Sequence, residues 1–294
     1  MSKERFDNCI SCSSNKIVIL NRYKKGFLVK CKNCSLVFAN KVPSAKELDD
    51  HYSNYGRNDY LSPITIKRYN ELLDKFEKYR NNNNILDIGC GIGYFLEEAK
   101  KRGWNVYGTE YTDEAISICE KKGIQLNKGK LNPENYKIKF DVITSFEVIE
   151  HINNPVEELN NIKSILRDEG LFYLTTPNFN AINRFYLKEK WNVIVYPEHL
   201  TYYTKSTLKK LIQKQGFKTI SNKTTGISIT RIKTSKEKKE DNTEYISANT
   251  EDEKLRGNIE NNRILLFGKS CLNWLLTIFG IGDNIKQFNI KKPS

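Results

Sequence analysis

Residues 85–93 read ILDIGCGIG. An apolar run carrying one aspartate, Asp87, ends in Gly89, Gly91 and Gly93. Glycines at a strand end let the backbone approach a ligand closely. A dinucleotide loop is G-x-G-x-x-G at the opening of a helix. Here the third glycine comes one residue early and Tyr94 fills the last position, which disfavours a pyrophosphate. No Lys-Ser/Thr pair follows, so the loop is not a P-loop either. Beyond it the pattern alternates. Helices are predicted over 94–102, 113–122, 155–167, 205–215 and 263–279, and strands over 85–88, 105–109, 140–145, 171–175, 217–220 and 286–290. Such alternation predicts an α/β domain with a mostly parallel sheet covered on both faces.

The spacing Asp87-x-Gly89-Cys90-Gly91-x-Gly93 resembles motif I of the class I S-adenosylmethionine-dependent methyltransferases. That cofactor has no phosphates. It carries an amino-acid tail whose ammonium an acid at the strand end can orient. Glu110, followed by Tyr111, ends the next strand, where a carboxylate can accept hydrogen bonds from ribose hydroxyls. The stretch 140–155, FDVITSFEVIEHINNP, resembles motif IV and its flank, which places Ser145, Phe146 and Glu147 along the cofactor edge. The likeness continues through ILRDEGLFYLTTPN, through 198–217 and through GDNIKQFNIKKP at 282–293. It implies a Rossmann-like methyltransferase fold with a seven-stranded sheet whose last strand is antiparallel. One departure is that 124–136 holds no acid before Glu134, so the adenine contact stays unassigned.

Cys9, Cys12, Cys31 and Cys34 form two C-x-x-C pairs with eighteen residues between them. Four thiolates on two tight turns can close a tetrahedron around Zn²⁺, leaving no open catalytic position. KIVIL and FLVK between them read as two strands, so 1–40 is read as a small zinc ribbon. Residues 41–60 read as a connector with a short helix at 45–52, and 61–294 as the methyltransferase domain. The order of ribbon, ELDDHYSNYG and catalytic domain resembles methyltransferases of bacterial surface-polysaccharide and sugar-modifying pathways. That likeness implies a sugar or other small-molecule acceptor, methylated at O, N or C, and a lid or substrate role for His51, Tyr52 and Tyr55. Residues 231–262 are charged and poor in apolar groups, and read as a mobile insertion.

Methyl transfer to oxygen or carbon needs a base. The chain has three histidines. His151 follows the fourth strand of the sheet, and His199 lies in YPEHLTYY, so these two are the candidate bases. The net charge of +13 suits a polyanion. Lysine is spread along the whole chain rather than gathered in one stripe, which favours a small acceptor over RNA or DNA. Motif IV also lacks the proline pair of the enzymes that methylate nucleic-acid amino groups. A non-catalytic zinc-ribbon interaction protein is the rival of another class. MSKERFDNCISC shows no secretory h-region, and the segment 264–281 reads as a buried or interfacial helix, so a cytoplasmic protein is expected.

Overall fold

The computed structural model describes residues 5–44, 46–48, 61–236, 257 and 262–293. The first three strands are β1 (Ile17–Ile19), β2 (Leu28–Cys31) and β3 (Val37–Ala39). Helix α1 (Pro63–Phe76) starts on a proline, whose fixed φ suits a first helical turn. Then come β4 (Asn84–Ile88), α2 (Tyr94–Lys101), β5 (Asn105–Glu110), α3 (Asp113–Lys121) and β6 (Gln125–Lys128). The second half holds β7 (Phe140–Phe146), α4 (Pro155–Ile165), β8 (Leu166–Pro177), α5 (Ile182–Leu187) and β9 (Thr201–Tyr202). Last are α6 (Lys205–Lys214), β10 (Phe217–Thr225), α7 (Ile229–Lys236), α8 (Arg263–Phe279) and β11 (Asn284–Lys291).

Seven strands form one sheet in the order β10-β11-β8-β7-β4-β5-β6. Only β11 runs antiparallel to its neighbours, as the motif resemblance implied. The strands are apolar on both faces because helices cover both. Ile85, Val142, Leu171 and Tyr173 face α1 and α2, while Leu86, Ile143, Phe172 and Leu174 face α4 and α6. From the central β4 the chain proceeds outward to β5 and β6, then returns on the other side to β7 and β8. That reversal opens a crevice at the carboxyl ends of β4 and β7, where ligands of open α/β sheets bind.

The ribbon has more strands than its sequence suggests. β1, β2, β3 and the distant β9 make a four-stranded sheet. Val37 pairs with Tyr202 and Phe38 with Thr201. The ribbon's Val29, Leu36 and Phe38 share a core with Leu86 and Ile143, and Leu28 and Val37 pack with Phe179 and Trp191 on the other side. Burying each such side chain is worth about 1.5–3 kcal/mol, so the ribbon is held by packing as well as by its cysteines.

Helix α8, read from sequence as buried or interfacial, is not a buried helix. Leu276 is buried, but Ile264, Phe267, Trp274 and Phe279 are exposed. Among the described residues no helix is long and apolar enough to cross a membrane. Of the expected 231–262 insertion, residues 231–236 belong to α7 and Asn262 caps α8. Its remainder, apart from residue 257, lies outside the described residues, as do His51, Tyr52 and Tyr55.

Candidate functional site

The glycine loop turns directly from β4 into α2. Gly89, Gly91 and Gly93 have φ of +66°, +54° and +77°, a region that costs other residues energy. Their surroundings differ. A Cβ on Gly89 would lie 2.7 Å from Val148 Cγ2, and one on Gly93 would lie 2.5 Å from Ile124 Cδ1 and 2.8 Å from Cys119 Sγ. A Cβ on Gly91 would meet nothing within 4 Å. Two glycines are therefore demanded by packing, and the middle one faces open space that a ligand can enter. Cys90 turns inward: its sulfur would crowd a Cβ on Gly108, and its amide donates to Thr109 O at 3.0 Å. The neighbouring Cys119 thiol and burial push the Cys90 thiol up, and its side chain packs against Gly108.

Two carboxylates flank the loop. Asp87 is 3% exposed and accepts a hydrogen bond from Thr144 Oγ1 at 2.7 Å. Among the described residues no Lys or Arg pairs with it, and burial pushes its carboxyl up to about 7. Glu110 closes the loop against the tip of β5. Its Oε2 accepts from the Gly91 amide at 3.0 Å, and its Oε1 from the Tyr111 and Thr112 amides at 2.8 and 3.2 Å. The Tyr111 side chain is exposed.

The end of β7 forms the opposite wall. Ser145 is buried beside Ile88, and Phe146 packs edge-on against Phe95 with ring centroids 5.0 Å apart. Glu147 sits at φ +53°, its amide donating to Thr175 O at 3.0 Å. A short 3₁₀ turn, Ile149–His151, follows. His151 and His199 meet at 4.8 Å between ring centroids, although 47 residues separate His151 from the Glu198 carbonyl it touches. Burial, then the nearby His199, lowers His151 to about 4.

The ribbon reaches this wall through backbone bonds. The Ala39 amide donates to Leu200 O, and the Leu200 amide to Glu150 O, both at 2.8 Å. Thr201 Oγ1 donates to Ile152 O at 2.9 Å. At the ribbon's far end Cys9 Sγ and Cys34 Sγ lie 3.5 Å apart, and Cys12 Sγ and Cys31 Sγ 3.6 Å. All four sulfurs fall within 4.8 Å of one another. Zn–S bonds of about 2.3 Å require sulfur separations of about 3.8 Å, so the donor set fits a tetrahedral ion.

The structure thus brings Asp87, Gly89, Gly91, Gly93, Glu110, Ser145, Phe146 and Glu147 to the carboxyl ends of β4, β5 and β7, with Cys90 packed inward and the two histidines on the 3₁₀ turn after β7 and the loop before β9. Sequence reading missed Thr144, which holds Asp87, and Thr109, whose Oγ1 accepts from the Gly89 amide at 3.2 Å. It also passed over Glu150, buried beside His151. Threonines at strand ends carry no periodic signal. The i,i+3 carboxylates of EVIE were the only hint of Glu150.

Comparison with known proteins agrees with this geometry. Ubiquinone biosynthesis O-methyltransferase of Actinobacillus pleuropneumoniae serotype 7 is 30% identical over 106 residues, covering 32% of this chain and 45% of that protein. The mitochondrial ubiquinone biosynthesis O-methyltransferase of Saccharomyces cerevisiae is 33% identical over 137 residues, 43% of this chain and 44% of that one. The chain thus spans less than half the length of these curated relatives. Phosphoethanolamine N-methyltransferase 2 of Haemonchus contortus, solved with S-adenosyl-L-methionine, shares the fold at TM-score 0.53 and 18% identity, over 88% of this chain and 62% of that chain. A family model described as a methyltransferase domain matches residues 60–222. The chain belongs to the methyltransferase-domain family.

Proposed function

We propose that this protein transfers a methyl group from S-adenosylmethionine to a hydroxyl of a small-molecule acceptor. The observation that carries the reading is Asp87, a buried carboxylate without a basic partner among the described residues, beside the open face of Gly91. The cofactor's ammonium supplies the missing cation, and Glu110 is placed to receive its ribose hydroxyls. Tyr111, Ser145, Phe146 and Glu147 are assigned to the same cofactor site by their place at the carboxyl ends of β5 and β7. When bound, the cofactor supplies an electrophilic methyl on a sulfonium whose leaving group is neutral. The protein's work is therefore alignment and removal of the acceptor's proton. His151 and His199 are assigned to that proton.

The names of the relatives favour oxygen as the accepting atom. The ribbon-first domain order supports a sugar among the acceptors, and the connector 41–60, with His51, Tyr52 and Tyr55, is assigned to the acceptor side by its place in the chain. Cys9, Cys12, Cys31 and Cys34 are assigned to a structural Zn²⁺. Its role is to fix the ribbon strands that brace the loop from Glu198 to Tyr202.

Calorimetry with S-adenosylmethionine, then labelled cofactor with panels of phenolic acceptors and nucleotide sugars, tests the reading. We expect saturable cofactor binding and label in a methyl ether. No binding at millimolar cofactor overturns it. Salt-sensitive binding and labelling of RNA or DNA instead points to the nucleic-acid alternative.

A further inference from the structure

One group of side chains is built for more than proton removal. Glu150, His151 and His199 each bring a ligand-competent atom to within 4.8 Å of the others. His151 Nδ1 lies 2.9 Å from Glu198 O, and His199 Nδ1 lies 2.7 Å from Val193 O. A carbonyl only accepts, so each Nδ1 carries the proton and donates. Each Nε2 then holds the ring's lone pair. Backbone carbonyls orient metal-binding histidines in this way. Glu150 is 2% exposed; its Oε2 accepts from Thr176 Oγ1 at 2.9 Å. Its Oε1 is buried with no hydrogen-bond partner among the described residues. A buried carboxylate oxygen beside two imidazole nitrogens calls for a cation.

We propose that Glu150, His151 and His199 hold one divalent transition-metal ion. Two imidazoles and a carboxylate on one side leave further coordination positions open. The loop carrying Glu150 abuts the cofactor loop, since Val148 fills the space a Cβ on Gly89 would take. The inference deepens the methyl-transfer reading and rests on it for what the ion does. An acceptor hydroxyl that coordinates the ion loses its proton to water near neutral pH. Its oxygen then attacks the sulfonium methyl. A C–O bond forms, the C–S bond breaks, and S-adenosylhomocysteine leaves as a neutral thioether. The histidines act on the acceptor's proton through the ion.

Mn²⁺ is the probe, because the soft thiolates of the ribbon prefer zinc. Electron paramagnetic resonance of the full chain titrated with Mn²⁺ should show one saturable site per chain, with couplings from two nitrogens. Glu150→Gln and His199→Asn should each weaken it at least about tenfold. Cofactor binding is measured in parallel by calorimetry. A wild-type protein that binds S-adenosylmethionine but no Mn²⁺, or Mn²⁺ without nitrogen couplings, overturns the metal site. Unchanged Mn²⁺ affinity in both variants does the same. Mn²⁺ binding without cofactor binding keeps the metal site and discards methyl transfer.

Discussion

Asp141 and Asp87 are both buried, on neighbouring parallel strands, at opposite ends of the sheet. At the amino end of β7, Asp141 is fully compensated. Its Oδ2 accepts from the Asn81 and Asn82 amides at 2.9 and 2.7 Å, and its Oδ1 from Arg167 Nε at 2.8 Å. Arg167 also donates to Tyr79 O at 2.5 Å, closing a network that ties α1's exit to β8. At the carboxyl end of β4, Asp87 has one threonine and, among the described residues, no cation. A buried charge with its partners in place is architecture. A buried acid kept waiting for a cation marks the place where a ligand brings one.

The sharpest break of that comparison is Asp141→Ala. It leaves Arg167 without its buried partner and should cost about 3–5 kcal/mol in urea unfolding. A loss below 1 kcal/mol would mean that the network is ornamental. Asp87→Asn is the complementary change. It should weaken cofactor binding by about 1.5–3 kcal/mol, the worth of a hydrogen bond to a charged group. Stability should hold or rise, because no native cation loses its partner. Destabilisation on the scale of Asp141→Ala, with cofactor affinity intact, would reverse the two roles.

The same contrast explains what the sequence disclosed. The strand-and-glycine signature of 85–93, the short apolar runs of β4, β7 and β8, and the paired cysteines all advertise themselves in the sequence. Boundaries shifted where a residue served two elements: Leu166 leaves α4 and already pairs with Phe140 on β7. β6 was not legible, because QLNK at a sheet edge has neither apolar alternation nor burial. β9 was not legible, because two residues become a strand only by meeting β3 far away in sequence. Thr144, Thr109 and Glu150 were hidden for the same reason, since each acquires meaning from a neighbour on another element. Asp87 was legible by motif, but only the structure shows that it lacks a counter-ion among the described residues.

The loop carries a smaller version of the test. Gly93→Ala would press a methyl into Ile124 and Cys119 at a positive φ. It should cost about 1–3 kcal/mol of stability from overpacking, plus the conformational penalty. Gly91→Ala meets open space and should cost only the conformational term, about 1–2 kcal/mol. Its methyl, though, would stand where the cofactor's tail is placed. Calorimetry should therefore show a larger affinity loss for Gly91→Ala than its melting shift suggests, and the opposite balance for Gly93→Ala. Equal effects of both substitutions on binding would place the cofactor away from this loop.

The gentlest test is pH. Asp87 is raised to about 7 in the fold, against about 3.9 in an unfolded chain. Between those values the folded protein keeps a proton that the unfolded chain has lost. Ligand-free stability should therefore fall as pH rises from about 4 to 7, by up to about 1.4 kcal/mol per unit, and level off above. Glu158, also raised to about 7 by burial, and Asp283 slope the same way, so the wild-type profile alone does not isolate one group. The difference between wild type and Asp87→Asn does. Melting temperatures at a series of pH values should show the variant gaining on the wild type from pH 5 to 7, with a constant lead above. Cofactor affinity of the wild type should run the other way, rising up to about tenfold per unit as the carboxylate forms, then flattening near 7. A wild-type affinity flat from pH 5 to 8 would mean that Asp87 stays ionised without the cofactor. Its partner would then already be part of the protein, and Asp87 would belong with Asp141.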